Sequence, residues 1–202
     1  MDSSADAPGL KVRKASLREA MLEARGRVSE EEMRRVGDRL CRHLLDSLAF
    51  RQSRRVALYA AQGGEPDLRL FFDQALALGK EVLLPRCGAG HRLVFHRIES
   101  WSELKPGRYG LLEPQASASE YGPEALDLVL VPSLAVDLEG RRLGRGGGWY
   151  DRALAARQVS ADSHWLAAIH DFQRVKTDVP SGKMDQRVDG FVTEEGIFWC
   201  GD

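Results

Sequence analysis

The run Leu126-Asp127-Leu128-Val129-Leu130-Val131-Pro132, followed shortly by Gly140 to Asp151, constrains the fold more than any other feature of the chain. A nearly unbroken apolar run is what a strand covered on both faces needs. The twelve residues from Gly140 to Asp151 hold five glycines and three arginines and close on Trp149, Tyr150 and Asp151. Tyr150 to Arg157 reads as the start of a helix. Strand, glycine turn and helix in this order form an α/β unit. Glycines let backbone N–H groups approach a phosphate, and arginines add forked donors matched to its oxygens. Asp151, near the helix start, can hold a phosphate-bound magnesium ion. The run lacks the Gly-Lys-Ser/Thr of a P-loop, and Trp149 stands where a dinucleotide fingerprint needs glycine. Glycine and arginine together also make solvated turns; the strand before and the aromatics and carboxylate after favour a binding turn here.

The rest of the chain repeats the alternation. Residues 1–9 read as a disordered N-terminus, and 10–202 as a single α/β domain opening with a helical pair. Lys11 to about Gly26 is the first helix. Ser29 and Glu32 form a capping-box pattern that starts the second. Met33, Val36, Leu40, Leu44 and Leu48 then recur at three- and four-residue steps as one apolar stripe. Strands are expected at Arg55–Ala60, Lys80–Pro85, Arg92–Ile98, Leu126–Pro132, Trp165–Ile169 and, last, Gly190–Thr193. A helix is expected at Asp67–Leu78, ended by Gly79. Trp101–Ala125 reads as loop and turn. The alternation implies a largely parallel sheet flanked by helices, with ligands at the carboxyl ends of the strands. The glycine turn and the loop Gln62-Gly63-Gly64-Glu65-Pro66-Asp67 both fall on that edge.

Composition narrows the function classes. With 29 basic and 30 acidic residues the formal net charge is −1, so nothing pulls the whole chain toward nucleic acid or a membrane. The arginines of the glycine turn are a local patch suited to a small anion. Cys41, Cys87 and Cys200 are far apart and odd in number, which points to free thiols and a reducing cytoplasm. The N-terminus has no basic segment and apolar core of a signal peptide, and no apolar run approaches the roughly 20 residues of a membrane helix. A cytoplasmic monomer is expected.

Lys14 and Arg18 are four residues apart and share a helix face. Alone, they fit a solvated basic helix better than a phosphate grip. His170-Asp171 resembles a catalytic dyad, but neighbours at a strand end point apart and no nucleophile motif accompanies them.

Pro132-Ser133-Leu134-Ala135-Val136-Asp137, then Gly140 to Arg152, resemble the signature of the 5-formyltetrahydrofolate cyclo-ligase (methenyltetrahydrofolate synthetase) family. Lys14-Ala15-Ser16-Leu17-Arg18, Glu65-Pro66-Asp67, Gly110 to Pro114, Gln173, Val179-Pro180, Asp185 and Asp189 follow the family's order, so the resemblance covers nearly the whole chain. It implies the fold shared with ribose-phosphate isomerases and coenzyme A transferases. It also implies use of MgATP to convert 5-formyltetrahydrofolate to 5,10-methenyltetrahydrofolate with release of ADP and phosphate. Folate and ATP would then be the small-molecule partners and Mg2+ the cofactor.

Carried over residue by residue, the resemblance gives Lys14, Arg18, Arg142, Gly144, Arg145, Gly146, Gly147, Gly148 and Asp151 to ATP. It gives Glu65, Trp149 and Tyr150 to the folate and Asp151 and Asp185 to the metal. Arg145 and Tyr150 are the expected catalytic residues. The chain departs from the pattern at Leu68 (commonly Thr), Gly147 (commonly Lys), Trp149 (commonly Tyr) and Ala168 (commonly Tyr). Two rivals remain open on the sequence: a folate- or nucleotide-binding regulator without catalysis, and a sugar-phosphate isomerase on the same fold.

Overall fold

The computed structural model describes residues 8–116, 119–157 and 163–201. Helix α1 (Pro8–Gly26) precedes α2 (Glu30–Asp46) and the single-turn α3 (Leu48–Gln52). Then come β1 (Arg55–Ala57), α4 (Arg69–Ala77), β2 (Glu81–Cys87) and β3 (Leu93–Arg97). Three two-residue strands follow, β4 (Lys105–Pro106), β5 (Leu112–Glu113) and β6 (Glu120–Tyr121), and then β7 (Leu128–Pro132). The signature supplies β8 (Ala135–Val136), β9 (Arg142–Leu143) and α5 (Trp149–Ala156), and the chain closes with β10 (His164–Ala168), β11 (Gly190–Thr193) and β12 (Gly196–Trp199).

The main sheet has the order β12-β11-β10-β7-β1-β2-β3-β6. The five central strands, β11 to β2, run parallel, and β12, β3 and β6 add antiparallel edges. The α/β reading with a largely parallel sheet therefore holds. Alternate side chains of the central strands divide the core in two. Val56, Val82, Leu128, Leu130, Leu166 and Val192 pack beneath α2 and α4. Ala57, Leu83, Val129, Val131, Trp165 and Phe191 face Ala153 and Leu154 of α5. This two-sided burial is why β7 reads as a continuous apolar run. The chain leaves β1 toward β2 and leaves β7 toward β10, in opposite directions across the sheet. A crevice opens at the carboxyl ends where strand order reverses, between the loops after β1 and β7.

Several local expectations need correction. Pro8 and Gly9 belong to α1 rather than to a disordered tail; proline suits a first helical turn, where its missing N–H is not needed. Residues 1–7 lie outside the described residues. The stripe on α2 ends at Leu44, because Ser47 is extended and its hydroxyl accepts from Phe50 N (3.1 Å) to start α3. Leu48 is consequently 70% exposed. Ser29 does cap α2, its hydroxyl accepting from Glu32 N at 3.1 Å. Gly190–Thr193 is not the last strand, since the Gly196–Trp199 segment returns beside it. The three cysteines are free, as expected.

Candidate active site

All the residues assigned from the sequence to ATP, folate or metal line one cavity of about 980 Å³. The hairpin β8–β9 holds the signature in place. Within its turn the buried Asp137 carboxylate accepts from Glu139 N (3.0 Å), Arg141 N (3.1 Å) and Val179 N (2.7 Å), and from Arg141 Nε (2.7 Å). Arg141 is thus spent on the scaffold and also bridges to Asp178 (2.6 Å). Beyond β9 the chain turns through Gly144–Gly148 into α5, whose cap Gly148 has φ +66°, a left-handed conformation that favours glycine.

At one end of the cavity α1 lies against this turn. Arg18 Nε donates to Gly144 O (2.9 Å), and Lys14 Nζ to Asp185 Oδ2 (2.6 Å). Lys14, buried on α1, is therefore not a freely solvated helix cation. Arg142 is also buried; its Nη2 donates to Asp151 Oδ1 (3.0 Å), while its Nε has no hydrogen-bond partner. Gln186 N donates to the same Asp151 oxygen (3.2 Å), which brings Asp151 beside the Asp185 segment. Among the described residues no group of three or more His, Cys, Asp or Glu forms a metal cage. Two carboxylates lining one cleft suit magnesium, which takes one or two protein oxygens and completes its shell from phosphate and water.

The other end is built around Glu65, which is buried. It accepts from Gln62 N at 3.0 Å, pairs with Arg25 Nη2 at 3.0 Å and lies 3.8 Å from Arg145 Nη2. Arg145 also donates to Gln62 O (3.3 Å), so it reaches from the glycine turn across to the β1 loop. Burial raises the Tyr150 phenol well above its ordinary range, nearby Glu65 pushes the same way, and Arg142 opposes both. A phenol held neutral serves as a donor or an apolar wall, not as a base. Its hydroxyl is buried without a partner. Tyr59, also buried, donates to Ala168 O (3.1 Å).

The departures from the family pattern have physical readings. A Cβ on Gly147 would fall 2.7 Å from Trp149 Cδ1, so the indole fills the space that a side chain at 147 would need. Trp149 also meets the His91 ring, centroids 5.0 Å apart. Leu68 caps no helix with its side chain and is wholly buried, while Asp67 Oδ1 accepts from Arg69 N (3.0 Å). Ala168 is a core residue. His170 and Asp171 form no dyad: the imidazole donates to Gly64 O (2.8 Å), and the carboxylate pairs with Arg174 (3.1 Å). The sequence reading missed Arg25, Tyr59, His91 and Cys87. Arg25 had a usable signal, seven residues beyond Arg18 on the same helix. The Cys87 thiol is pushed up to about 12 by burial, then by Glu113, and is no nucleophile at neutral pH.

Fold and cavity define an α/β enzyme in which one cleft brings a cationic glycine turn, with Trp149 and Tyr150 beside it, together with the buried acid Glu65. The profile of the 5-formyltetrahydrofolate cyclo-ligase family matches residues 10–194, and the chain belongs to that family. It is 36% identical over 168 residues to the 5-formyltetrahydrofolate cyclo-ligase of Mycolicibacterium smegmatis (78% of this chain, 82% of the relative). The Escherichia coli K12 cyclo-ligase is 30% identical over 175 residues (85% and 94%). The solution structure of Aquifex aeolicus 5,10-methenyltetrahydrofolate synthetase superposes with a TM-score of 0.81 at 34% identity, covering 94% of this chain and 93% of that one. These likenesses support the cyclo-ligase reading over a regulator or an isomerase.

Proposed function

We propose that the cleft closes 5-formyltetrahydrofolate to 5,10-methenyltetrahydrofolate at the expense of ATP, with phosphates bound at the glycine turn and the pterin at Glu65. The observation that carries this division is that one cavity is lined both by the glycine turn with Lys14, Arg18 and Arg142 and by the buried Glu65, which sits on the separate loop after β1.

The chemistry explains why both ends are needed. A formamide oxygen is a poor leaving group. It attacks the γ-phosphorus, ADP departs, and the oxygen becomes part of an imidate phosphate. A neighbouring folate nitrogen then attacks the activated carbon, the C–O bond breaks, and phosphate leaves. Such a transfer is catalysed mainly by positioning and by neutralising charge. Lys14, Arg18, Arg142 and the backbone of Gly144 to Gly148 hold the nucleotide phosphates. Arg145, on the span between the two ends, follows the moving phosphoryl group. Glu65 accepts from the exocyclic amine and ring N–H of the pterin. Trp149 lies along the folate, and Tyr150 donates from a phenol that stays neutral. Asp151 and Asp185 would hold Mg2+, which supplies charge neutralisation at the phosphates.

Formation of the methenyl chromophore is the test. Product should appear with 5-formyltetrahydrofolate and MgATP, and not without nucleotide or in excess chelator. Equal product in chelator would remove the metal from the proposal. Among the described residues no helix is long and apolar enough to cross a membrane, and the cytoplasm is the compartment proposed for the enzyme. We place it there as a monomer; elution at the mass of one 22.5 kDa chain checks the oligomeric state.

A further inference from the structure

Arg25 ends helix α1 with its side chain 1% exposed, the most deeply buried cation among the described residues. Its guanidinium is gripped by one short segment. Nη2 meets Glu65 Oε1 at 3.0 Å and donates to Gln62 O and Gly63 O, both at 2.7 Å; Nε donates to Gly63 O at 3.0 Å. The backbone fits as closely: a Cβ on Gly64, where φ is +78°, would lie 2.5 Å from Arg25 O. The turn from Gln62 to Glu65 is therefore moulded on Arg25 from both sides. A planar fork with several fixed donors can hold two carbonyls and a carboxylate at once, which an ammonium cannot.

We propose that Arg25 is the positioning residue for the folate-side acid. It orders the Gln62–Glu65 turn and aims the Glu65 carboxylate into the cleft, without itself touching a reacting atom. This deepens the proposal that Glu65 receives the pterin, and rests on it. Arg145, 3.8 Å from the same carboxylate oxygen, cannot take over this task if it serves the phosphoryl group. Arg25 stands seven residues beyond Arg18, hence roughly 10 Å further along α1. One helix thus carries the phosphate grip and the support of the acid, and fixes their separation.

The test compares Arg25→Gln, Glu65→Gln and the double variant, with KM for 5-formyltetrahydrofolate read from methenyl formation at saturating MgATP and ATP affinity from calorimetry. Arg25→Gln should raise the folate KM about tenfold to a hundredfold, as Glu65→Gln does, and change ATP affinity by less than about twofold. The double variant should be no worse than the poorer single one by more than about twofold, because both changes disable one contact. A carboxylate left without its buried partner can unfold a chain. Arg25→Lys, which keeps the charge but loses the fork, is therefore measured alongside, with an expected severalfold rise in folate KM. If Glu65→Gln raises the folate KM while Arg25→Gln and Arg25→Lys leave it unchanged, or if the Arg25 variants weaken ATP as much as folate, Arg25 is only a packing residue. If Glu65→Gln itself leaves the folate KM unchanged, the assignment of Glu65 falls, and the proposal with it.

Discussion

The two ends of the cleft are organised in opposite ways. At the glycine turn the cations and carboxylates are paired with one another, Lys14 with Asp185 and Arg142 with Asp151. A phosphate and a cation arriving there would exchange partners with groups already in place, so charge is balanced before and after. At the acid end Glu65 is held by the Gln62 amide and by Arg25, and its turn is fixed by backbone packing. Nothing there needs to exchange. One end is a set of replaceable ion pairs and the other a preorganised acceptor. Preorganisation keeps ordering costs out of binding, which suits recognition of a neutral heterocycle that brings little charge of its own.

The largest expected effect breaks the bridge between the ends. Arg145→Ala should lower kcat by something on the order of the thousandfold seen when an arginine that stabilises phosphoryl transfer is lost; single-turnover methenyl formation measures it. An unchanged kcat would confine Arg145 to the turn. Glu65→Gln comes next, raising the folate KM about tenfold to a hundredfold with ATP affinity nearly intact. Lost ATP affinity with unchanged folate KM would invert the two ends. Asp151→Asn should move half-maximal activity to several times higher magnesium, because one of two carboxylates for the ion is gone. A magnesium titration superimposable on that of the unaltered enzyme would leave Asp151 as a helix-end charge beside Arg142.

A smaller effect concerns the acid end and pH. Burial lowers the pKa of His170 below the ordinary 6.5, against the pull of its bond to Gly64 O. The unfolded chain therefore binds this proton more readily than the folded one. The stabilisation is fully present above about pH 6.5 and is lost as pH falls toward the folded value. Melting temperature should decline from pH 7 to 5 and decline less in His170→Gln, as thermal scans at several pH values will report. The smallest effect pairs Gly147 with Trp149. Gly147→Lys alone should reduce activity a fewfold, and adding Trp149→Tyr should restore part of it, because the two positions share one space. Purely multiplicative losses would separate them.

The glycine-turn side of the cavity was legible in the sequence because its parts are contiguous: glycines, arginines and Asp151 lie within twelve residues, and Lys14 and Arg18 one helical turn apart. The sheet was legible because burial on both faces leaves long apolar runs. The acid end was only half legible. Glu65 carried a family pattern, but Arg25 sits among the exposed cations of a charged helix, and only the loop after β1 packing over it makes it a core residue. Leu48 failed for a local reason, since its helical spacing continued while Ser47 had already broken the helix. The β12 segment was overlooked because an antiparallel return breaks the strand–helix alternation used to find the others.

The Asp137 turn has a consequence for how such a molecule can change over time. Its carboxylate holds three backbone N–H groups and the Arg141 side chain, all outside the glycine run itself. The path of the chain into Gly144–Gly148 is thereby set from behind, by residues that do not line the cavity. Side chains on the run can then be exchanged between lineages, a lysine here and a glycine with a larger neighbour there, without altering where the backbone amides point. An enzyme built so can drift in the side chains of its glycine run while the course of its backbone stays the same.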